Sequence, residues 1–424
     1  MEIGWSQRDI TPLPGEELGG YGYYMNRRAD RTLDPLFCRV CAFRENGRVA
    51  VLVQFDLIGL QADHVEELRA RLGRAHGLPA EAIFFHCTHT HTGPASLRWF
   101  GPGELTQTWR QIVTKHVMDT VADVLKHWEP VQRACYIDHE FPGIAQNRDE
   151  PGGPVDNHVR GLLLEMGQAA PILLVNYGCH AVALGVWRVY SADYPGAVVR
   201  YLNALGYRAL FLNAPCGDLD PCVTKSAAFG KGGEEVLDFY GRRIVEAVER
   251  ALKSKEAVPV GSMQFASKLI DLAVQPPARS ECERTIAEST ALLEKDATDG
   301  MALSTLNGTK NWIQMLDSGR CVARQPIEVQ VLHLGGVTLA GIGAEFYSEL
   351  SALMRAKAGI QRLLVAGTCN AVTCYIATRR SVENSRYPVR AARFYGVFPH
   401  TAGAGERFAE EAGAFLADTA ARPG

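Results

Sequence analysis

The feature that most constrains this chain is a short apolar run that ends in histidines: Ala82-Ile83-Phe84-Phe85-His86-Cys87-Thr88-His89-Thr90-His91-Thr92-Gly93-Pro94. Residues 82–85 read as a buried strand, and Gly93-Pro94 marks the loop that follows it. The histidines therefore sit at a strand end. In extended chain, residues two apart point to one side, so His89 and His91 are expected to face one point in space. Imidazole is the commonest metal ligand and also titrates near neutrality. One ring can hold a metal while the other moves protons. Alone, a His-x-His stretch is more often a hydrogen-bonded loop, so the rest of the chain must decide.

Residues 1–60 read as strands with turns between them, including a glycine-rich loop at Gly19-Gly20-Tyr21-Gly22 and a hairpin at Gly47. An amphipathic helix at 62–75 precedes the histidine strand, and a long one at 105–128 follows it. Strands are expected at 134–137, 159–166 and 172–177, the last ending in Gly178-Cys179-His180. Helix 197–205 and strand 209–213 complete a β-α-β pattern, and 234–253 is another amphipathic helix. Residues 273–322 change character and predict a helical hairpin laid on the main domain. Strands 327–334 and 337–342 are linked by Gly335-Gly336, a hairpin signal. Gly343-Ala344-Glu345-Phe346 is expected to open a helix, 361–366 to be a strand, 370–396 to be irregular and 406–416 to be a closing helix. The pattern predicts one α/β catalytic domain over residues 1–424, a mixed sheet core with surrounding helices.

Composition narrows the function. The chain has 424 residues, 47% apolar and 21% charged, which is ample material for a core. A net charge of −3 gives no electrostatic footprint for nucleic acid. No stretch approaches the ~20 apolar residues of an integral membrane segment. Eleven cysteines, an odd number in apolar contexts, fit reduced buried thiols in a cytoplasmic protein better than a disulfide framework. Cys38-x-x-Cys41 lies in a strand-like run without a second cysteine pair, so packing explains it better than zinc or redox chemistry.

Several strand ends and helix starts carry a potential ligand, which is where α/β folds place their sites. The order and wording of these places resemble the neutral ceramidases, zinc-dependent amidases that cleave the N-acyl bond of ceramide. The matching words are Asp9-Ile10-Thr11, Gly20-Tyr21-Gly22, the His-Thr-His loop, Asn147-Arg148, Gly217-Asp218, Gly343-Ala344-Glu345-Phe346, Tyr375-Ile376-Ala377-Thr378, Tyr387 and Tyr395-Gly396. The resemblance implies one Zn2+ per chain bound by His89, His180, Glu345 and Tyr375. It implies that His91 is the general acid or base, and that Arg148 and Tyr387 contact the substrate carbonyl. Asp193 matches a family aspartate beside the second histidine, with a supporting or helix-capping role. Metal-bound water attacking an amide carbon is the implied chemistry.

Departures from the family matter. The position after its Gly-Asp word that carries a serine is Asp220 here, which removes an acyl-serine route. Asp218 and Asp220, flanked by Cys216 and Cys222, read as turn carboxylates that bond backbone N–H groups, a separate metal site being the alternative. The C-terminal β-domain that ceramidases append is absent from the sequence, so a soluble N-acyl compound is expected as substrate. Arg379-Arg380 stands where the family tends to be acidic, and either favours an anionic substrate or is solvated. The same metal centre would also serve an esterase, lactonase or N-deacetylase. A non-catalytic homologue that binds a ligand or a metal is the reading from a different class.

Overall fold

The apolar run becomes the strand Ile83–Cys87, buried at every residue and paired in parallel with Arg48–Phe55. The computed structural model describes residues 1–21, 27–100, 105, 107–222, 233–319 and 323–421, so Gly22 and the end of the 273–322 segment lie outside the described residues. Among the described residues, the histidine strand is one edge of a nine-stranded mixed sheet. From the opposite edge the order is Arg208–Asn213, Ile172–Tyr177, His158–Met166, Glu129–Glu140, Glu2–Asp9, Phe37–Glu45, Arg48–Phe55 and Ile83–Cys87, with Glu256–Val258 added beside Glu129–Glu140. The two outermost pairs are parallel and the pairs between them antiparallel. The sheet curls until its edges meet. There the Asn213 backbone N–H donates to His86 Nε2 at 3.0 Å, and Asn213 Nδ2 donates to the Thr88 carbonyl at 3.0 Å. His86 is thereby a structural acceptor, and burial lowers its pKa to about 3.

A second sheet, Met263–Ala273, Arg324–Leu334, Val337–Ile342 and Leu363–Ala366, packs on the first. Their shared core holds Leu52, Phe84 and Leu174 from one sheet and Leu332, Leu339 and Leu364 from the other. A Cβ on Gly341 would lie 2.3 Å from the Phe84 ring, so only glycine leaves room for that ring between the sheets. Helices cover the outer faces. Asp193–Ala204 and Glu234–Lys253 pack on one half of the large sheet, and Ala62–His76 and Gln107–Val124 on the other. Ser348–Ala358 and Ala404–Ala420 cover the small sheet. The result is a helix, sheet, sheet, helix stack, the mixed α/β architecture that the apolar periodicity predicts.

The helical hairpin forms from Arg279–Lys295 and Gly300–Asp317, and Asp299 caps the second helix through the Ala302 N–H at 2.9 Å. It rests on the helix Tyr387–Tyr395 and its exit, where Trp312 Nε1 donates to the Val397 carbonyl at 2.8 Å. Three expectations need correction. Residues 370–396 contain the helices Arg379–Glu383 and Tyr387–Tyr395. Glu345–Phe346 does not open a helix but forms a two-residue strand, and the helix starts at Ser348. The histidine loop is not extended either, because His89 sits in the left-handed region at φ 67°. The described cysteines are free, and Cys38 and Cys41 are buried packing residues. No described helix is long and apolar enough to cross a membrane.

Candidate metal centre

Parallel strands of both sheets deliver their carboxyl ends to one place, and four short segments meet there. The first is the loop after Ile83–Cys87. Its bend is set by the His89 N–H donating to the Leu57 carbonyl at 2.9 Å and the His91 N–H donating to the Ala181 carbonyl at 3.3 Å. The second is the loop after Ile172–Tyr177, carrying His180. The third and fourth are the paired strands Glu345–Phe346 and Tyr375–Ile376, in which Glu345 and Tyr375 stand opposite each other. A parallel register therefore brings together two residues thirty positions apart in sequence.

His89, His91 and His180 are buried, and their ligand nitrogens lie within 4.8 Å of one another. Glu345 Oε2 is 3.0 Å from His180 Nε2 and 3.3 Å from His89 Nε2. His89 Nδ1 donates to the Ile58 carbonyl at 2.7 Å and His180 Nδ1 to the Cys216 carbonyl at 2.7 Å. A carbonyl can only accept, so whenever either ring is neutral its hydrogen is on Nδ1 and its Nε2 lone pair faces inward. In that form two lone pairs and a carboxylate converge, a donor set that fits a cation such as Zn2+. His91 differs. Its Nε2 is 3.5 Å from His89 Nε2, but among the described residues its Nδ1 has no hydrogen-bond partner. Its tautomer is not fixed by a carbonyl.

Electrostatics follow this packing. Burial raises the Glu345 pKa, yet the charge and the Nε2–H hydrogen bonds that the His89 and His180 rings supply when protonated outweigh it and hold the carboxyl well below its ordinary range. Burial, then the His89 and His180 rings, push His91 well below the usual imidazole value. Burial pushes the Tyr375 and Tyr395 phenols well up, and the Glu345 carboxylate adds to it. Tyr395 donates to Glu345 Oε1, leaving Oε2 for the histidine side. Arg148 is held by the Gly217 carbonyl at 2.8 Å and by Asp220 at 3.4 Å, and donates to the Tyr375 hydroxyl at 3.0 Å. Its guanidinium lies 5.6 Å from the Tyr375 ring and 5.7 Å from the Tyr387 ring. His91, Arg148, Asp220, Tyr375 and Tyr387 all line one cavity of about 250 Å3.

The aspartates support this centre. Asp218 accepts from Ser348 N–H at 2.7 Å, Ser348 Oγ at 2.8 Å and Asn147 Nδ2 at 3.3 Å, holding the helix start behind Glu345, and burial raises its pKa to about 6. Asp218 is thus engaged by Ser348 and Asn147, while Asp220 is paired with the Arg148 side chain at 3.4 Å. Asp193, at φ 55°, accepts from the Ala183, Leu184 and Tyr194 N–H groups at 3.1, 3.0 and 2.7 Å, fixing the loop that carries His180. Two residues earlier, the Ser191 carbonyl accepts from Thr90 Oγ1 at 2.7 Å and Thr92 Oγ1 at 3.0 Å, fixing the other histidine loop. One segment thus braces both. It is anchored by Asp34, whose carboxylate accepts from Ser191 Oγ at 2.5 Å and the Ala192 N–H at 2.8 Å.

Arg379 and Arg380 stand apart from the 250 Å3 cavity. Arg380 is paired with Glu150 at 2.5 Å and Glu349 at 3.1 Å beside a smaller polar cavity, and Arg379 faces Glu383 at 3.7 Å. Sequence reasoning named no role for Tyr395, Trp99, Tyr21 or Asp34. Tyr395 was within reach, since it follows Tyr387 by eight residues, about two helical turns, on the same helix. Asp34 carries no local signal, because its partners are 157 residues away.

Searches against protein-family models and curated proteins find no match to the sequence. Solved structures do match. A neutral ceramidase from Pseudomonas aeruginosa superposes with a TM-score of 0.74 at 17% identity, over 98% of this chain and 74% of that one. A structure described as ceramidase complexed with C2 superposes with a TM-score of 0.75 at 16% identity, over 99% of this chain and 74% of that one. Over nearly its whole length, this chain has the fold of neutral ceramidase.

Proposed function

We propose that this protein is a zinc-dependent amidohydrolase that cleaves the C–N bond of a soluble N-acyl compound. The observation that carries the reading is the convergence of His89 Nε2, His180 Nε2 and Glu345 Oε2, with the Nδ1 of both rings on backbone carbonyls, next to His91 and Tyr375, which line a cavity together with Arg148. His89, His180 and Glu345 would hold the ion, with the Tyr375 hydroxyl as the fourth, weaker donor. Zn2+ bound there supplies Lewis acidity and lowers the pKa of a coordinated water from 15.7 towards about 7.

The remaining work falls to side chains. Arg148 and Tyr387 donate to the carbonyl oxygen of the amide, and their hold strengthens as that oxygen gains charge, a contribution of roughly 3–4 kcal/mol per donor. His91 takes the proton of the attacking water and returns it to the amide nitrogen as the C–N bond breaks, releasing a carboxylate and an amine. Its freedom to carry the proton on either nitrogen suits that exchange, whereas His89 and His180 are locked. The test is amine release from a panel of N-acyl amides by protein stripped with chelator and then reloaded. Activity that disappears on stripping and returns with Zn2+ supports the reading. Activity that survives complete removal of metal overturns it.

A further inference from the structure

The size of the cavity and the way its walls are tied down bear on which amides fit. The cavity beside the histidines is about 250 Å3. An apolar cavity of about 150 Å3 holds a benzene molecule, so this one holds roughly ten non-hydrogen atoms, below the usual range for drug-sized ligands. Its walls are largely aromatic: Tyr21, Trp99, Tyr347, Tyr375 and Tyr387. Two of these walls pack on residues of the site itself. Tyr21 meets the His91 ring edge-on at 4.9 Å, and Trp99 meets Tyr395 at 5.3 Å, which in turn meets Tyr375 at 5.9 Å.

Neither wall is a loosely held loop. Arg27 lies 4.8 Å over the Tyr21 ring and donates to the Gly20 carbonyl at 3.3 Å and to the His91 carbonyl. The Trp99 segment is tied at three points: Ala95 N–H to the Glu17 carbonyl at 2.8 Å, Ser96 Oγ to the Gly59 carbonyl at 2.7 Å, and Phe100 N–H to the Phe394 carbonyl at 3.0 Å. The last bond fastens Trp99 to the helix that supplies Tyr387 and Tyr395. Moving either wall therefore means breaking several hydrogen bonds, so the walled part of this partly open cavity keeps its size.

We infer that the chamber takes amides with a short or single-ring acyl group, and that Trp99 sets the limit on acyl length. The inference rests on the amidase reading above. His91, which serves the leaving nitrogen, stands on the Tyr21 side. The acyl group on the far side of the scissile bond then points towards Trp99. Flat aromatic walls favour a short chain or a phenyl ring through stacking and edge contacts. A long fatty acyl chain exceeds the walled volume, so its end must extend beyond these walls.

The experiment uses the metal-loaded protein and N-acyl ethanolamines with acetyl, butanoyl, phenylacetyl, octanoyl and dodecanoyl groups, following ethanolamine release below micelle-forming concentrations. Wild type, Trp99→Ala and Trp99→Phe are compared, with folding and metal content checked for each. In the wild type, kcat/KM for dodecanoyl should fall at least about tenfold below that for butanoyl or phenylacetyl. Trp99→Ala should raise the dodecanoyl-to-butanoyl ratio by at least about tenfold, and Trp99→Phe, which retains a ring, should move it less. A wild-type preference that keeps rising to dodecanoyl, or a ratio unmoved in a folded Trp99→Ala protein, overturns the inference. If no member of the series is hydrolysed, the amidase reading fails. The size limit is then judged by calorimetric binding of the same amides: tighter binding of short ones in the wild type, relaxed in Trp99→Ala, upholds it, and equal binding of all lengths removes it.

Discussion

Replacing Gly20 by alanine separates the two jobs that the three histidines can do. Gly20 has φ 77°, and a Cβ there would stand 2.4 Å from His91 Nδ1, where ordinary contacts begin near 3.4 Å. The alanine backbone in that left-handed conformation costs about 1–2 kcal/mol. Forcing the ring aside by about 1 Å adds overpacking of about 1–3 kcal/mol. The sum, roughly 2–5 kcal/mol, falls within a typical domain stability of about 5–15 kcal/mol, so the variant should fold. A misplacement of about 1 Å at a reacting group lowers turnover on the order of a hundredfold. His89 and His180 keep their carbonyl partners on other segments, so metal should stay near the wild-type level. The assay is metal content by mass spectrometry together with kcat on an amide that the wild type cleaves. Wild-type turnover would refute the tight seat of His91 against Gly20. Metal lost in step with kcat would refute the division of labour, because His91 would then be a ligand.

Other consequences follow from the packing around the centre. Asp34→Ala removes an acceptor shared by Ser191 Oγ and the Ala192 N–H. It should weaken zinc binding by about 10–100-fold in a chelator-competition titration without touching the metal. Unchanged affinity would mean that the brace does not position the histidine loops. Tyr395→Phe keeps the ring packing but leaves Glu345 Oε1 without its phenol donor, so zinc affinity should fall while thermal stability changes little. Both properties are read from one set of melts with and without metal. His64, buried and bonded to Thr114 at 3.0 Å, has its pKa lowered by burial to about 4. Its folded pKa lies below the unfolded value of about 6.5, so its contribution is complete above pH 6.5 and is lost as pH falls towards 4. Urea unfolding at pH 7.5 and pH 4.5 should show the wild type losing about 2–3 kcal/mol more than His64→Gln; equal losses would contradict it.

Much of the architecture was legible because apolar periodicity and turn chemistry are local. The strands before His89 and His180, the helical hairpin and the Gly335-Gly336 hairpin all follow from them. The pairing of Glu345 with Tyr375 was not legible, since Gly343-Ala344-Glu345-Phe346 has helix-like content and only a parallel partner from a later segment makes it a strand. The two-residue offset of His89 and His91 suggested the right neighbourhood for a geometric reason that does not hold, the backbone being left-handed at His89. Their meeting depends on hydrogen bonds to Leu57 and Ala181, both distant in sequence or on other loops. The same holds for Arg379 and Arg380, whose basic pair is visible in sequence while the Glu150 and Glu349 partners that neutralise Arg380 are not. Burial of Tyr395 against Glu345 likewise depends on how a helix of the C-terminal third seats on the small sheet.

The measurement that tests the central claim most directly is metal content, by mass spectrometry, of purified wild type, His89→Ala and His180→Ala, with folding verified by circular dichroism. The account predicts about one zinc per wild-type chain and far less in both folded variants, because each loses an inward ring nitrogen of the ligand set. Wild-type protein that binds no zinc when it is supplied in excess, with no shift in thermal unfolding, would contradict the metal centre and leave three buried histidines as structural residues.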